Sequence, residues 1–150
     1  MKQKFLCILF IGTFLLLSGC ANQETNIEAE DDYPEYMAYI TDFDNDNIRL
    51  DPIEWVQVPS DRADELGISD EDAPNGFYIY NPDFSADQYT IAKSCKIIVL
   101  DWENSFQPVE ISKKEFITVL QERGEHNTYI PYLFEITDGK ITEIYEHYVP

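Results

Sequence analysis

A single segment of this chain has the complete sequence pattern of an α-helix, and the remainder after residue 33 has the pattern of strands and turns. In residues 111–124, Ser112 is the predicted N-cap and Glu115 completes a capping box, in which two side chains satisfy free backbone N–H groups at the start of the helix. Arg123 and Gly124 stand where helices commonly end. Because only one helix is strongly indicated, the fold must consist mainly of β-structure.

Apolar, aromatic and β-branched runs separated by turn-forming residues predict the strands. A polar segment at 60–67 predicts a short helical turn between two of them. Asp138 and Gly139 are typical of a two-residue type I′ turn, which would pair Ile136 with Ile141 and Phe134 with Glu143. The predicted strands are 37–43, 48–58 (with an edge or bulge at Pro52), 77–80, 89–101, and the two arms of a hairpin at 131–149.

The order of these elements resembles the five-stranded OB-type barrel, if the strand at 77–80 is an accessory one. In that fold, one helix lies between the third and fourth strands. We therefore predict a mainly β fold with one helix, arranged as an OB-like barrel. A half-open α+β sheet with one packed helix is the alternative. The chain has 150 residues, which allow a single domain, and we place it at residues 33–150.

The first twenty residues have the order of an export signal. Lys2 and Lys4 precede an apolar run at 5–17, which is shorter than the roughly 20 residues that span a bilayer. Residues 17–20 are Leu-Ser-Gly-Cys, and this resembles the lipobox of bacterial lipoproteins. The resemblance implies a signal peptide at 1–19, cleavage before Cys20, and diacylglycerol and fatty acid such as palmitate attached at Cys20. The expected location is the extracytoplasmic face of the cell membrane, with the lipid as anchor.

Residues 21–32 contain five acidic and no basic side chains. Such a segment buries too little apolar surface to fold, so 20–32 is predicted to be a flexible acidic tether. Two later segments, PNGFYIYNPD and IPYLFEITDGKITEIYEHYVP, resemble those of small uncharacterised lipoproteins of Gram-positive bacteria. That likeness implies no activity and assigns no functional residue.

The charge of the chain restricts the kind of partner it can have. Ten Lys and Arg face 29 Asp and Glu, and removal of the signal leaves eight basic and 29 acidic side chains, a net charge of −21. Nucleic acid is an unsuitable partner, because phosphate affinity comes from Lys and Arg. A negative field attracts basic partners, so we expect a basic exported protein or a wall component. Solubility alone is the alternative explanation of the charge.

Asp42, Asp44 and Asp46 form an acidic tip with the alternate spacing of the first half of a calcium loop. The second half does not follow the pattern. Asn47 stands where a glycine is needed, and Ile53 stands where the bidentate Glu belongs. The acidic tip therefore predicts either a weak Ca²⁺ site or a solvated turn, and no other cofactor is indicated.

Aromatic side chains are the second candidate feature. Alternation along the strand at 77–80 places Tyr78 and Tyr80 on the face opposite Phe77 and Ile79. If Phe77 and Ile79 face the core, the two tyrosines are exposed. An exposed pair of aromatic side chains suggests binding, so these two tyrosines are predicted to contact a partner. Three further aromatics in and after the central strands could stack on a sugar, a peptide or another flat ligand, or belong to the core. They are Tyr89, Trp102 and Phe106.

No sequence motif supports catalysis. Cys95 is the only thiol left after removal of the signal and lipidation of Cys20, and its apolar surroundings indicate packing rather than nucleophilic chemistry. We therefore expect a non-enzymatic binding module for a protein or wall component. The alternatives are a structural lipoprotein that responds weakly to divalent cations and an unrecognised hydrolytic enzyme.

Overall fold

The computed structural model describes residues 34–150. The predicted signal peptide, Cys20 and the acidic tether lie outside the described residues. Among the helices that the structure describes, none has both the length and the hydropathy of a membrane-spanning segment. The strands are β1 (Tyr36–Phe43), β2 (Asn47–Pro52), β3 (Glu54–Gln57), β4 (Phe77–Tyr80), β5 (Asp87–Asp101), β6 (Gln107–Glu110), β7 (Pro131–Thr137) and β8 (Lys140–Glu146). The helices are α1 (Asp61–Leu66), α2 (Lys113–Arg123) and a 3₁₀ helix (Gly124–Tyr129).

Five strands close into a barrel in the order β2-β1-β7-β8-β5, and pairing of β2 with β5 completes the ring. The β5–β8 pair is parallel, whereas the other pairs of the ring are antiparallel. The main helix, α2, lies in sequence between β5–β6 and β7, the position that the OB-like prediction requires. The predicted mainly β fold is therefore confirmed, and closure by β2 and β5 excludes the half-open sheet.

The barrel core receives residues from every strand of the ring and from α2. Phe116 and Leu120 of the helix are fully buried. Burial of such a side chain contributes roughly 1.5–3 kcal/mol, so this face fixes α2 on the barrel. The predicted capping box is present, since Ser112 Oγ accepts a hydrogen bond from Glu115 N and Glu115 Oε2 accepts one from Ser112 N. The start of the helix is thus set by the sequence and its position by the core.

The predicted strand at 48–58 is wrong as a single strand, because it divides at Ile53. Its first part is β2 of the barrel, and its second part is β3, which pairs with β4 in a separate two-stranded sheet. Pro52 has no N–H group to continue the ladder, and the N–H of Ile53 donates to Met37 O instead. The short sheet and α1 enclose a second small core formed by Val56, Val58, Ala63 and Ala73.

The β7–β8 hairpin has the predicted type I′ turn, with φ values of 50° at Asp138 and 73° at Gly139. Ile136 pairs with Ile141 as expected, but the register then shifts by one residue, so Phe134 pairs with Ile144 and not with Glu143. Bulges of this kind change which side chains of a strand face the core. Ile144 is fully buried in consequence.

Candidate functional site

A cleft of about 540 Å³ opens between the β5–β6 hairpin and the C-terminal half of α2. This volume lies within the range of about 300–1,000 Å³ that is typical of ligand pockets. Trp102, which follows β5, lines this cleft and also a second one of about 180 Å³. We call the larger space the Trp102 cleft. The apolar and polar side chains around it include Val99, Val109, Ile111, Val119, Asp101, Glu122, Arg123 and His126.

Trp102 is half exposed, with 48% of its surface accessible, yet it is held at two points. Its indole Nε1–H donates to Glu146 Oε1 at 2.8 Å. The guanidinium carbon of Arg123 lies 4.3 Å from the centre of a Trp102 ring, which is a cation–π contact. An aromatic side chain restrained in this way loses little conformational freedom when a ligand packs on it.

A buried ion pair supplies both restraints. The Glu146 and Arg123 side chains are only 2% and 11% exposed, and Arg123 Nη2 lies 3.0 Å from Glu146 Oε2. Glu146 Oε2 also accepts from Leu100 N, and Arg123 Nη1 donates to the hydroxyl of Tyr132. Removal of two charges from water is costly, and the cost is offset only where further hydrogen bonds satisfy both groups. This network meets that condition while one of its members, Trp102, faces solvent.

The turn after Trp102 has an unfavourable backbone conformation. Ser105 and Phe106 have φ values of 55° and 57°, the left-handed region that bulky L-residues rarely adopt. Asp101 holds the turn, because its carbonyl accepts from Phe106 N and its Oδ1 accepts from Glu103 N. Residues held in such regions cluster at functional sites, which makes this turn part of the candidate site.

Trp102 belongs to a group of exposed rings that we call the aromatic rim. Its other members also line the second cleft and are all more than 40% exposed: Phe106, Tyr129 and Tyr148. The Phe106 and Tyr148 rings are 5.0 Å apart. Contiguous exposed apolar surface of this kind commonly marks an interaction site.

The charges that line the Trp102 cleft are predominantly negative. Asp101 and Glu122 form no salt bridge within residues 34–150, whereas Arg123 is neutralised by Glu146. Glu122 is exposed and Asp101 is partly exposed. The cleft therefore combines an apolar lining with two carboxylates that lack a cationic partner in the described part of the chain.

The two tyrosines predicted to contact a partner lie elsewhere. Tyr78 is 38% exposed on β4, whereas Tyr80 packs partly against the small core of the two-stranded sheet. Neither residue is among those lining the two clefts. Their proposed role in partner binding stays a prediction.

The acidic tip forms the turn between β1 and β2, and each of its carboxylates has a different partner. Asp44 Oδ1 accepts from the N–H groups of Asp46 and Asn47, and these hydrogen bonds lower the pKa of Asp44. Asp46 Oδ1 lies 2.6 Å from Lys113 Nζ, and Asp42 Oδ1 accepts from Phe43 N. Within residues 34–150, no group of three or more His, Cys, Asp or Glu side chains is arranged to hold a metal ion.

The acidic tip also borders the surface that OB folds commonly use for binding, which is formed by the second and third strands and the adjoining loops. The cavity there is only about 60 Å³ and is lined in part by Asp42, Asp44 and Arg49. Its small volume makes it a less suitable site than the Trp102 cleft for a large ligand.

Cys95 lies on β5 and packs against the barrel core as a half-buried side chain. Burial, the largest cause, and the nearby Glu143 raise the pKa of its thiol to about 12. A thiol that is protonated at neutral pH is a poor nucleophile. The packing role expected from the sequence agrees with this position.

The sequence named Trp102 and Phe106 among several aromatics, but it did not distinguish them from core residues. It gave no indication that Glu146 and Arg123 form the support of Trp102, since they are 23 positions apart.

Comparison of the chain with protein-family models, with curated proteins and with solved structures finds no significant match. The candidate site therefore stands on its geometry.

Proposed function

We propose that this protein is a non-enzymatic binding module that holds an exported protein or a wall component at the outer face of the cell membrane. The lipid expected on Cys20 is the anchor in this proposal, and the aromatic rim with its two clefts is the contact surface. The tether predicted at 20–32 would allow the domain to reach at most about 45 Å from the bilayer.

The observation that carries the proposal is the half-exposed Trp102, held by a buried ion pair. Replacement of such a pair by apolar side chains of similar volume is often neutral or stabilising, so stability by itself does not account for the pair. Retention of the pair is explained if its role is to present Trp102 in one orientation. Tryptophan, tyrosine and arginine are the residues that most often dominate binding energy at interfaces.

A comparison of matched baits tests the proposal. Full-length wild-type protein, Trp102→Ala, Tyr78→Ala and Phe84→Ala are solubilised in mild detergent and exposed to the exported proteins and wall fragments of the source cell. Phe84 is 78% exposed and lines neither cleft, so Phe84→Ala controls for loss of any exposed aromatic. Each captured component is then purified and titrated directly against all four baits.

We expect Trp102→Ala to weaken direct binding of the component by at least about thirty-fold, the loss that corresponds to an interface hot spot of about 2 kcal/mol. Phe84→Ala should bind like the wild type. Loss in Tyr78→Ala alone would move the site to β4, where the sequence predicts a contact with the partner. Equal binding by wild type and Trp102→Ala would refute the assignment of the contact surface to the aromatic rim.

A further inference from the structure

We propose that the Trp102 cleft binds an arginine side chain of a basic exported protein. This inference rests on the proposed function and deepens it, because it selects a protein partner over a neutral wall component and names the recognised group. It follows from the charge, the lining and the ring geometry of the cleft.

The first argument is charge complementarity. Asp101 and Glu122 line the cleft without a salt bridge among the described residues, and the one arginine that lines it is committed to Glu146. An anionic ligand would meet two carboxylates and no available guanidinium. A cation would be attracted both by these carboxylates and by the net charge of −16 carried by residues 33–150.

The second argument concerns the shape of the cation. Val109, Ile111 and Val119 provide an apolar lining on which an alkyl stem can pack, as the stems of long basic side chains do. A planar guanidinium can also stack on an aromatic face and donate two parallel hydrogen bonds to a carboxylate, whereas an ammonium group cannot do both. These properties favour arginine over lysine.

The third argument is that Trp102 already accepts one guanidinium. The Arg123 group lies 4.3 Å from the ring centre, and Glu146 compensates its charge. The ring remains 48% exposed despite this contact, so part of its surface is available to a second guanidinium. The ligand arginine and Arg123 would then occupy different parts of the same ring system.

Peptide titration tests the inference on the full-length chain in mild detergent. The probe is the acetylated and amidated peptide Gly-Ser-Arg-Ser-Gly. The matched probe carries citrulline, which keeps the shape of arginine and lacks its charge. Tryptophan fluorescence reports binding, and Trp102→Phe identifies the part of the signal that comes from the cleft, because Trp55 is the only other tryptophan.

Two sets of variants separate the cleft from the general negative field. Glu122→Gln and the double variant Asp101→Asn/Glu122→Gln remove charges from the cleft, and Asp101→Asn keeps the Oδ1 acceptor that holds the turn. The control is Asp70→Asn/Glu71→Gln, which removes the same number of charges from exposed positions outside both clefts. Glu122→Gln alone remains informative if the double variant folds poorly.

We expect wild type to bind the arginine peptide at least about five-fold more tightly than the citrulline peptide. Asp101→Asn/Glu122→Gln should lose about five-fold in affinity for the arginine peptide relative to wild type, and the control variant should lose less than about two-fold. Equal affinity for the two peptides, equal losses in the cleft and control variants, or no saturation by the arginine peptide up to about 10 mM would each overturn the inference. If both peptides bind equally and calorimetric titration of Trp102→Ala, which lacks the fluorophore of the cleft, shows that neither binds, the binding function stands and only the preference for arginine fails. If Trp102→Ala instead binds the captured component normally, the assignment of the contact surface to the aromatic rim fails, and the inference about the cleft fails with it.

Discussion

Replacement of Glu146 by Gln tests the support of Trp102 most directly. The Glu146 carboxylate accepts four hydrogen bonds, one at Oε1 from Trp102 Nε1 and three at Oε2 from Leu100 N and the two terminal nitrogens of Arg123. A glutamine side chain has the same size and only one acceptor oxygen. The glutamine amide oxygen takes the Oε2 position and keeps the three hydrogen bonds made there. The amide NH₂ group then faces the indole N–H of Trp102, and two donors cannot hydrogen-bond to each other.

The expected loss in the free energy of unfolding is about 2–4 kcal/mol. Removal of one partner of a buried ion pair typically costs about 3–5 kcal/mol, because the other charge remains buried and unpaired. Arg123, at 11% exposure, is in that situation. Glutamine reduces the loss, because it retains neutral hydrogen bonds of about 0.5–1.5 kcal/mol each.

Urea denaturation of the chain from residue 33 onward measures the loss, and Trp102 fluorescence reports the release of the ring. We expect the emission of Glu146→Gln to shift to the red in the native state, because an unrestrained indole is more exposed to water. The control is Glu103→Gln in the neighbouring turn, where Glu103 is exposed and forms no salt bridge in the described region. Its effect should stay within about 0.5 kcal/mol.

A loss below about 0.5 kcal/mol in Glu146→Gln would show that the ion pair does not stabilise the fold to the extent argued. Unchanged emission together with a large loss would show that Trp102 is held by packing alone. Either result would contradict the argument that a stabilising ion pair restrains Trp102.

Four further predictions concern other parts of the chain. Ser112→Ala should lower the free energy of unfolding by about 1 kcal/mol, because it removes the N-cap of α2, and an unchanged urea midpoint would contradict this. Cys20→Ser should release the protein from membranes or leave the signal uncleaved, and fractionation identical to wild type would rule out the lipoprotein assignment. Burial lowers the pKa of His147 below its ordinary value of 6.5, so the unfolded chain takes up the proton first and stability falls as the pH drops below that value. Wild type should therefore lose more stability than His147→Gln between about pH 7.5 and 5.5, and parallel losses would refute this. The cation-responsive alternative requires the acidic tip to bind Ca²⁺ with a dissociation constant of about 10⁻⁴–10⁻³ M, and calorimetry showing no heat at millimolar Ca²⁺ would eliminate it.

Local interactions explain which parts of the fold could be predicted. The capping box of α2 joins residues three positions apart, and the type I′ turn depends on two adjacent residues that tolerate positive φ. Ser60 and Gly67 define α1 in the same way. Signals of this range are complete within a few residues, so the sequence determined these elements and, through their order, the OB-like barrel.

Pairing between distant segments could not be predicted to the same degree. The sequence predicts that Pro52 disturbs a strand. It does not predict that the residues after Pro52 join a second sheet, because that sheet needs β4 as its other strand. β4 begins 20 residues after Gln57, the end of β3. The bulge in β8 likewise depends on which side chain best fills the core opposite Phe134. Competition of this kind is decided by packing, which no local pattern contains.

The candidate site shows the same division. The sequence determined that exposed aromatics could follow the central strands, that a helix would end at Arg123, and that the chain would be strongly acidic. The tertiary structure decided that the register shift in β8 places Glu146 opposite Tyr132, where it meets Arg123 and the indole of Trp102. A buried charge is tolerated only where a complete set of partners surrounds it. Those partners come from β5, α2, β7 and the turn after β5, so the site exists only once the barrel has closed.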